Sequence, residues 1–264
     1  MKILIAYDGT IHAKKALSYG LAKVKDESGS VLVVQVFDPR LFIDYDAGPG
    51  AEGLARAEAA RMHKDAGEIL QKQGEGIESR MVFEEGDTAT IIERYAVEEH
   101  VDLVLVPALL KNMAKSLTRP AYVIPGTVLV PVDNTDTAFL NLETIVREAR
   151  GTGSRIHLAG IVPLHLYSRD EKEELDKVAS ETKSAVRRLS AVLREQGLEA
   201  AEELRFGYPD EEILRSAEAH GASLILLPSG GKTPSELSKA AAILLEEPEQ
   251  IKRPVFLFPQ HEAI

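Results

Sequence analysis

Ser229-Gly230-Gly231-Lys232-Thr233 is the stretch of this chain best equipped to hold an anion. Its glycines let backbone amides approach closely and its lysine supplies positive charge. A helix opening at its end would add free N–H groups and the positive end of a dipole. The stretch is not a Walker A loop, because that motif needs a glycine five positions before Gly231 and Leu226 stands there. A simple helix start competes for the same residues: Thr233-Pro234-Ser235-Glu236 reads as a capping box with proline at the first helical position. Two aspartates form the second feature of interest. Asp8-Gly9-Thr10 and Asp133-Asn134-Thr135 each close an apolar run and precede a helical pattern, where an acid or threonine either caps the helix or faces a ligand beside the sheet.

Other chemistries lack their parts. The chain has no cysteine, which excludes disulfides, thiolate metal sites and a cysteine nucleophile. Without a Gly-x-Ser-x-Gly elbow, Ser229 is a loop serine and no catalytic residue is expected. The seven histidines are scattered, no His-x-x-x-His pair exists, and His157 and His165 stand too far apart in sequence to imply a shared metal, so no metal site is expected. His100 and His220 fall near the ends of two helices, where imidazole complements the C-terminal dipole. Arg94 and Arg215 are expected to pair with acids on their own helices. The net charge of -11 repels a phosphate backbone, and the nearest basic cluster is only Lys111, Lys115 and Arg119, so nucleic acid is not an expected partner. No run approaches the roughly 20 apolar residues of a membrane span. Met1-Lys2 passes directly into Ile3-Leu4-Ile5-Ala6, too short a run for a signal peptide, and the expectation is a soluble, cytoplasmic protein.

These residues are placed by a repeated scaffold. Gly86 to Pro107 and Gly207 to Pro228 align without a gap and share Gly86/Gly207, Ile92/Ile213, Arg94/Arg215, Ala96/Ala217, Leu103/Leu224, Leu105/Leu226 and Pro107/Pro228. Each copy is a glycine turn, an amphipathic helix and a short apolar run, the αβ half of a parallel-sheet unit. Ile3 to Asp8 and Val128 to Asp133 are continuous apolar runs closed by an acid, as strands covered on both faces should be. Between these landmarks the pattern predicts five strands alternating with four helices, twice: an α/β fold of two doubly wound domains, 1–125 and 126–264, divided at Pro125-Gly126. In the second half, Ala138, Leu142, Ile145, Val146 and Ala149 predict one helix, and Ser168-Arg169-Asp170-Glu171 predicts a capping box opening the next. The span from Pro107 to Pro120 is 13 positions against 26 from Pro228 to Pro254, so the last helix of the first domain should be short.

In this combination the chain resembles a tandem universal stress protein over essentially its whole length. The resemblance rests on Asp8-Gly9-Thr10 with Ala13 and Ala16-Leu17 beyond it, on Asp133-Asn134-Thr135, and on the two duplicated blocks. It implies parallel five-stranded sheets in the order 3-2-1-4-5, in the adenine nucleotide alpha-hydrolase-like manner, and a family that pairs into dimers. A tandem chain would then be an intramolecular pseudo-dimer, with a homodimer also compatible. Many family members bind ATP in a loop after the fourth strand, where two glycines and a later Gly-Ser or Gly-Thr wrap the phosphates. The corresponding positions are Pro107, Leu110, Pro120 and Ala121 in the first half and Pro228, Gly231, Ala241 and Ala242 in the second, so one glycine of the eight positions survives. Prolines remove donors outright. Ser229-Gly230-Gly231 also faintly resembles the pyrophosphate loop of ATP pyrophosphatases, but theirs follows the first strand and this one the fourth.

The resemblance implies a non-catalytic stress-response scaffold or small-ligand binder with degenerate nucleotide loops and no resident cofactor. The alternative it leaves open is an ATP or AMP sensor, or slow ATPase, using only the second domain. There Asp133 would lie near the nucleoside and Ser229, Gly230, Gly231, Lys232 and Thr233 would hold the anion, with Asp8 the weaker counterpart in the first domain.

Overall fold

Lys2–Tyr7 (β1) is buried from Ile3 onward because neighbours cover both its faces and both its edges. In this computed structural model, residues 1–26, 28–38, 51–228, 235–246 and 255–257 are described. The chain divides into two units, Met1–Pro125 and Gly126–Ile264. In the first, β1 is followed by α1 (Ile11–Asp26), β2 (Ser30–Phe37), α2 (Ala51–Gln73), β3 (Glu78–Glu85), α3 (Thr88–Glu98), β4 (Leu103–Pro107), α4 (Lys111–Ala114) and β5 (Ala121–Ile124). The strands pair in parallel in the order β3-β2-β1-β4-β5, which puts β1 at the centre and the crossover between β1 and β4 beside it. Helix α1 buries Ala13, Ala16, Leu17, Gly20, Leu21 and Val24, the stripe its spacing predicts. Gly20 brings that helix close to the sheet, since a Cβ there would stand 3.0 Å from Ile5 Cδ1 and 3.1 Å from Leu105 Cδ1.

The second unit repeats the plan with β6 (Thr127–Val132), α5 (Thr137–Leu140), α6 (Leu142–Thr152), β7 (Arg155–Pro163), α7 (Lys172–Glu195), β8 (Ala200–Gly207), α8 (Pro209–Ala219), β9 (Leu224–Leu227), α9 (Glu236–Glu246) and β10 (Val255–Leu257). Its order, β10-β9-β6-β7-β8, is the same topology read from the other edge. Two apolar clusters follow from the equivalent packing: Ile92 and Ala96 of α3 against Leu4, Val104 and Val106, and Ile213 and Ala217 of α8 against Leu129, Ile225 and Leu227. The first unit's last helix is indeed short, one turn in α4 against the eleven residues of α9.

Two local expectations are corrected. The single helix through Ala138 and Ala149 is two, because the buried Asn141 turns its side-chain amide onto Thr137 O at 2.8 Å and its own N–H onto Ala138 O, interrupting the regular ladder. The Ser168 box is only half formed. Glu171 accepts from Ser168 N and from Ser168 Oγ at 2.8 Å each, so the serine hydroxyl is turned to the carboxylate as a donor, and the helix starts later, at Lys172, with Glu171 in the cap position. The helix after the glycine stretch starts at Glu236 and is capped by Ser235, with Ser238 N donating to Ser235 Oγ at 3.2 Å and Lys239 N to Ser235 O at 3.0 Å, while Thr233 and Pro234 of the expected box lie outside the described residues.

Candidate functional site

Both aspartates sit at the C-terminal end of a central strand, beside the point where the crossovers diverge and where ligands of open α/β sheets gather. They fold into the same turn. Asp8 Oδ1 accepts from Thr10 N at 3.0 Å and from Thr10 Oγ1 at 2.5 Å, and Thr10 Oγ1 in turn accepts from Ala13 N at 3.2 Å. Asp133 Oδ1 accepts from Thr135 N at 2.9 Å and Thr135 Oγ1 at 2.5 Å, and Thr137 N reaches Thr135 Oγ1 at 3.3 Å. Thr10 caps α1 and Asp8 braces it; in the second unit Thr135 stands one residue before Asp136, the cap position of α5, and is braced by Asp133, so one carboxylate oxygen in each unit has a structural role. The second oxygen of Asp8 is buried and has no hydrogen-bond partner among the described residues, and neither has the Tyr7 hydroxyl. Burial, with Asp65 and Asp8 nearby, pushes the Tyr7 hydroxyl up to about 12.

The surroundings of the two turns differ. In the first unit α2 lies over the turn: a Cβ on Gly9, which has φ +74°, would meet Met62 Cγ and Sδ at 2.4 Å. Lys14 Nζ to Asp65 Oδ2 at 2.8 Å and Gln35 Nε2 to Ala59 O at 2.8 Å hold α2 there. In the second unit Asn134 replaces Gly9 and donates to Glu181 of α7 at 3.0 Å, while Asp133 is buried to 9% exposure.

Of the phosphate-loop positions, Pro107 ends β4, Leu110 ends a one-turn 3₁₀ segment (Ala108–Leu110), and Pro120 and Ala121 lead into β5. The amides of that connection are turned inward, with Lys111 N on Ala108 O, Lys115 N on Asn112 O and Ser116 N on Met113 O. In the second unit Pro228 follows β9, and Ser229, Gly230, Gly231, Lys232 and Thr233 lie outside the described residues. Ala241 and Ala242 stand inside α9, where no helix N-terminus exists to receive an anion. At the real N-terminus, Glu236 places a carboxylate in the first turn and engages Lys239 at 2.5 Å and His165 at 3.7 Å.

The sequence profile of the universal stress protein family matches residues 1–111 and 126–241. The chain belongs to the universal stress protein family. A universal stress protein from Thermus aquaticus, encoded in the QAH/OAS sulfhydrylase 3′ region, is 30% identical over 104 residues, covering 39% of this chain and 74% of that protein. Among solved structures, a universal stress protein from Archaeoglobus fulgidus DSM 4304 is 20% identical with a TM-score of 0.40 and covers 99% of this chain and 97% of its own. Another, from Archaeoglobus fulgidus in complex with dAMP, is 22% identical with a TM-score of 0.38 and covers 52% of this chain and 98% of its own. The family profile thus matches twice, once on each unit.

This universal stress protein carries a second polar centre that sequence spacing does not reveal. His157 of β7, Glu203 of β8 and His220 at the end of α8 come together, although 46 and 17 positions separate them. The pairing of His157 with Ala201 puts His157 and Glu203 on one face, beneath α8. The imidazoles stack with centroids 3.7 Å apart, and each Nε2 approaches one carboxylate oxygen, at 3.1 Å for His157 and 3.3 Å for His220. Ser216 Oγ donates to Glu203, and Arg205 Nε stands 3.0 Å from it. Burial works against charge on Glu203, but Arg205, Ser216 and the two histidines outweigh it and hold the carboxyl at about 2. Burial lowers His157, with Glu203 opposing. His220 therefore does more than face a helix dipole. The repeated arginines also part ways: Arg94 reaches across to Glu84 of β3, whereas Arg215 pairs with Glu211 and the buried Glu212 of its own helix.

Proposed function

We propose that this chain is a non-catalytic, tandem universal stress protein acting as a stress-response scaffold or small-ligand binder, with triphosphate binding lost. The observation that carries this reading is the β4–β5 connection. Prolines 13 positions apart stand at its two ends, it contains no glycine, three of its amides bond to its own carbonyls and Thr118 N donates to Glu93, which leaves a poor frame for wrapping a phosphate chain. Two further features support it: Met62 lies against the Asp8 turn, and Glu236 puts negative charge at the start of α9. Thermal denaturation with a panel of adenine nucleotides tests it. The expected outcome is no change in melting temperature at micromolar ATP or AMP. A rise of several degrees would refute the reading, since a ligand at 100 times its dissociation constant adds about 2.7 kcal/mol.

A second reading, an ATP or AMP sensor confined to the second unit, draws support from the buried Asp133 and the Gly230-Gly231-Lys232 stretch in sequence. In that case Asp133→Ala weakens nucleotide binding at least tenfold while Asp8→Ala leaves it unchanged. Equal and negligible effects of the two substitutions remove it.

A further inference from the structure

The His157, Glu203 and His220 cluster has no part in the reading above. It lies at the other end of the second sheet from Asp133, near the first residues of β6, β7 and β8, where a cavity of about 490 Å³ is lined by Thr127, Arg155, His157, Glu199 and His220 among others. We propose that these three residues form a binding site for one divalent transition ion of the zinc class, open to solvent through that cavity.

Donor geometry is the first argument. One donor atom of each residue lies within 4.8 Å of the other two. Metal bonds of about 2.0–2.1 Å meeting at a tetrahedral angle hold neighbouring donors about 3.3–3.4 Å apart. The two histidine-to-carboxylate separations, 3.1 Å to one oxygen and 3.3 Å to the other, are of that size, and the stacked rings must turn apart for both lone pairs to meet one ion.

The second argument is an unmet bond. The ring of His157 is 5% exposed, and its Nε2, although close to Glu203, lies off any hydrogen-bonding direction. A buried ring nitrogen without a partner is costly, and a turn of the His157 ring that aims Nε2 at an ion held by Glu203 satisfies both groups.

Charge and supporting contacts agree. Glu203, Glu211 and Glu212 face Arg205 and Arg215, so three carboxylates meet two guanidiniums and one negative charge remains for a cation while both imidazoles are neutral. Arg205 competes for Glu203, but it already has Glu212 at 3.3 Å and can rest there, and Ser216 Oγ steadies the carboxylate. Two imidazoles and one carboxylate suit zinc and its neighbours and disfavour calcium and magnesium, which take oxygen. The cavity side leaves the remaining position to water.

Titration of the full chain with Co²⁺, followed by visible absorption and then by Zn²⁺ competition, tests the proposal. The expected result is saturation near one ion per chain with tetrahedral cobalt bands, displacement by zinc, and at least tenfold weaker binding in His220→Gln. His220 is 38% exposed at a helix end, so this variant should keep its fold, as circular dichroism can verify. His157→Gln should lose binding as well; if it fails to fold, His220→Gln decides alone. The other five histidines remain in both variants and control for adventitious sites. Absence of saturable binding at micromolar metal, or a loss below tenfold in His220→Gln, overturns the proposal.

Discussion

Tyr7 sets an alkaline limit on the first unit. Its hydroxyl is buried without a partner and held at about 12, against about 10 in an unfolded chain. The folded value is the higher one, so the contribution is fully present below about pH 10 and is lost as pH rises from there towards 12, when unfolded chains ionise and folded ones do not. The difference amounts to roughly 2–3 kcal/mol at most. Tyr7→Phe should therefore leave stability at neutral pH nearly unchanged and flatten its fall between about pH 10 and 12. Denaturant titrations of both proteins across that range measure it; parallel curves would show that Tyr7 is not the responsible group. Asp8 and Asp133 were visible in sequence because each ends an apolar run, and the structure brings out that each holds a neighbouring threonine, of which Thr10 caps its helix.

At the scale of elements, helix α7 depends on how closely it can approach β7. Gly160 permits that approach: a Cβ there would meet Leu204 Cδ1 at 2.8 Å, Val186 Cγ2 at 3.0 Å and Thr182 Cγ2 at 3.1 Å. Gly160→Val should destabilise the second unit by about 1–3 kcal/mol through overpacking. Hydrogen exchange of β7 and α7 peptides provides the readout, and unchanged protection would contradict the packing argument. Strands such as β1 and β6 were legible because burial on both faces leaves an uninterrupted apolar run. The duplicated turn, helix and strand were legible because each was written twice. The break at Asn141 was not, since it depends on where one amide points, and the start of α9 at Glu236 follows from a cap that Ser235 supplies. The histidine and glutamate centre was hidden for a different reason. Its members belong to β7, β8 and α8, and only the parallel register joins them.

Across the whole molecule, charge limits the range of partners. A net charge of -11 opposes association with a polyanion, and duplex DNA should show no saturable binding at micromolar protein and near-physiological salt. Fluorescence anisotropy of a labelled duplex measures this, and saturable binding would reveal a local basic surface strong enough to overcome the total. No described helix is long and apolar enough to cross a membrane. Two units of one topology, built from one repeated plan, give the chain a twin for every central feature. Thr10 and Thr135 are such twins: both hydroxyls donate to an aspartate at 2.5 Å just before a helix, yet one lies beside a turn covered by Met62 and the other beside Asn134 tethered to α7. Selectively labelled threonine methyl groups would make them paired spectroscopic reporters within a single spectrum. A titrant that moves one signal and not its counterpart identifies the responding unit, with the silent methyl serving as the reference.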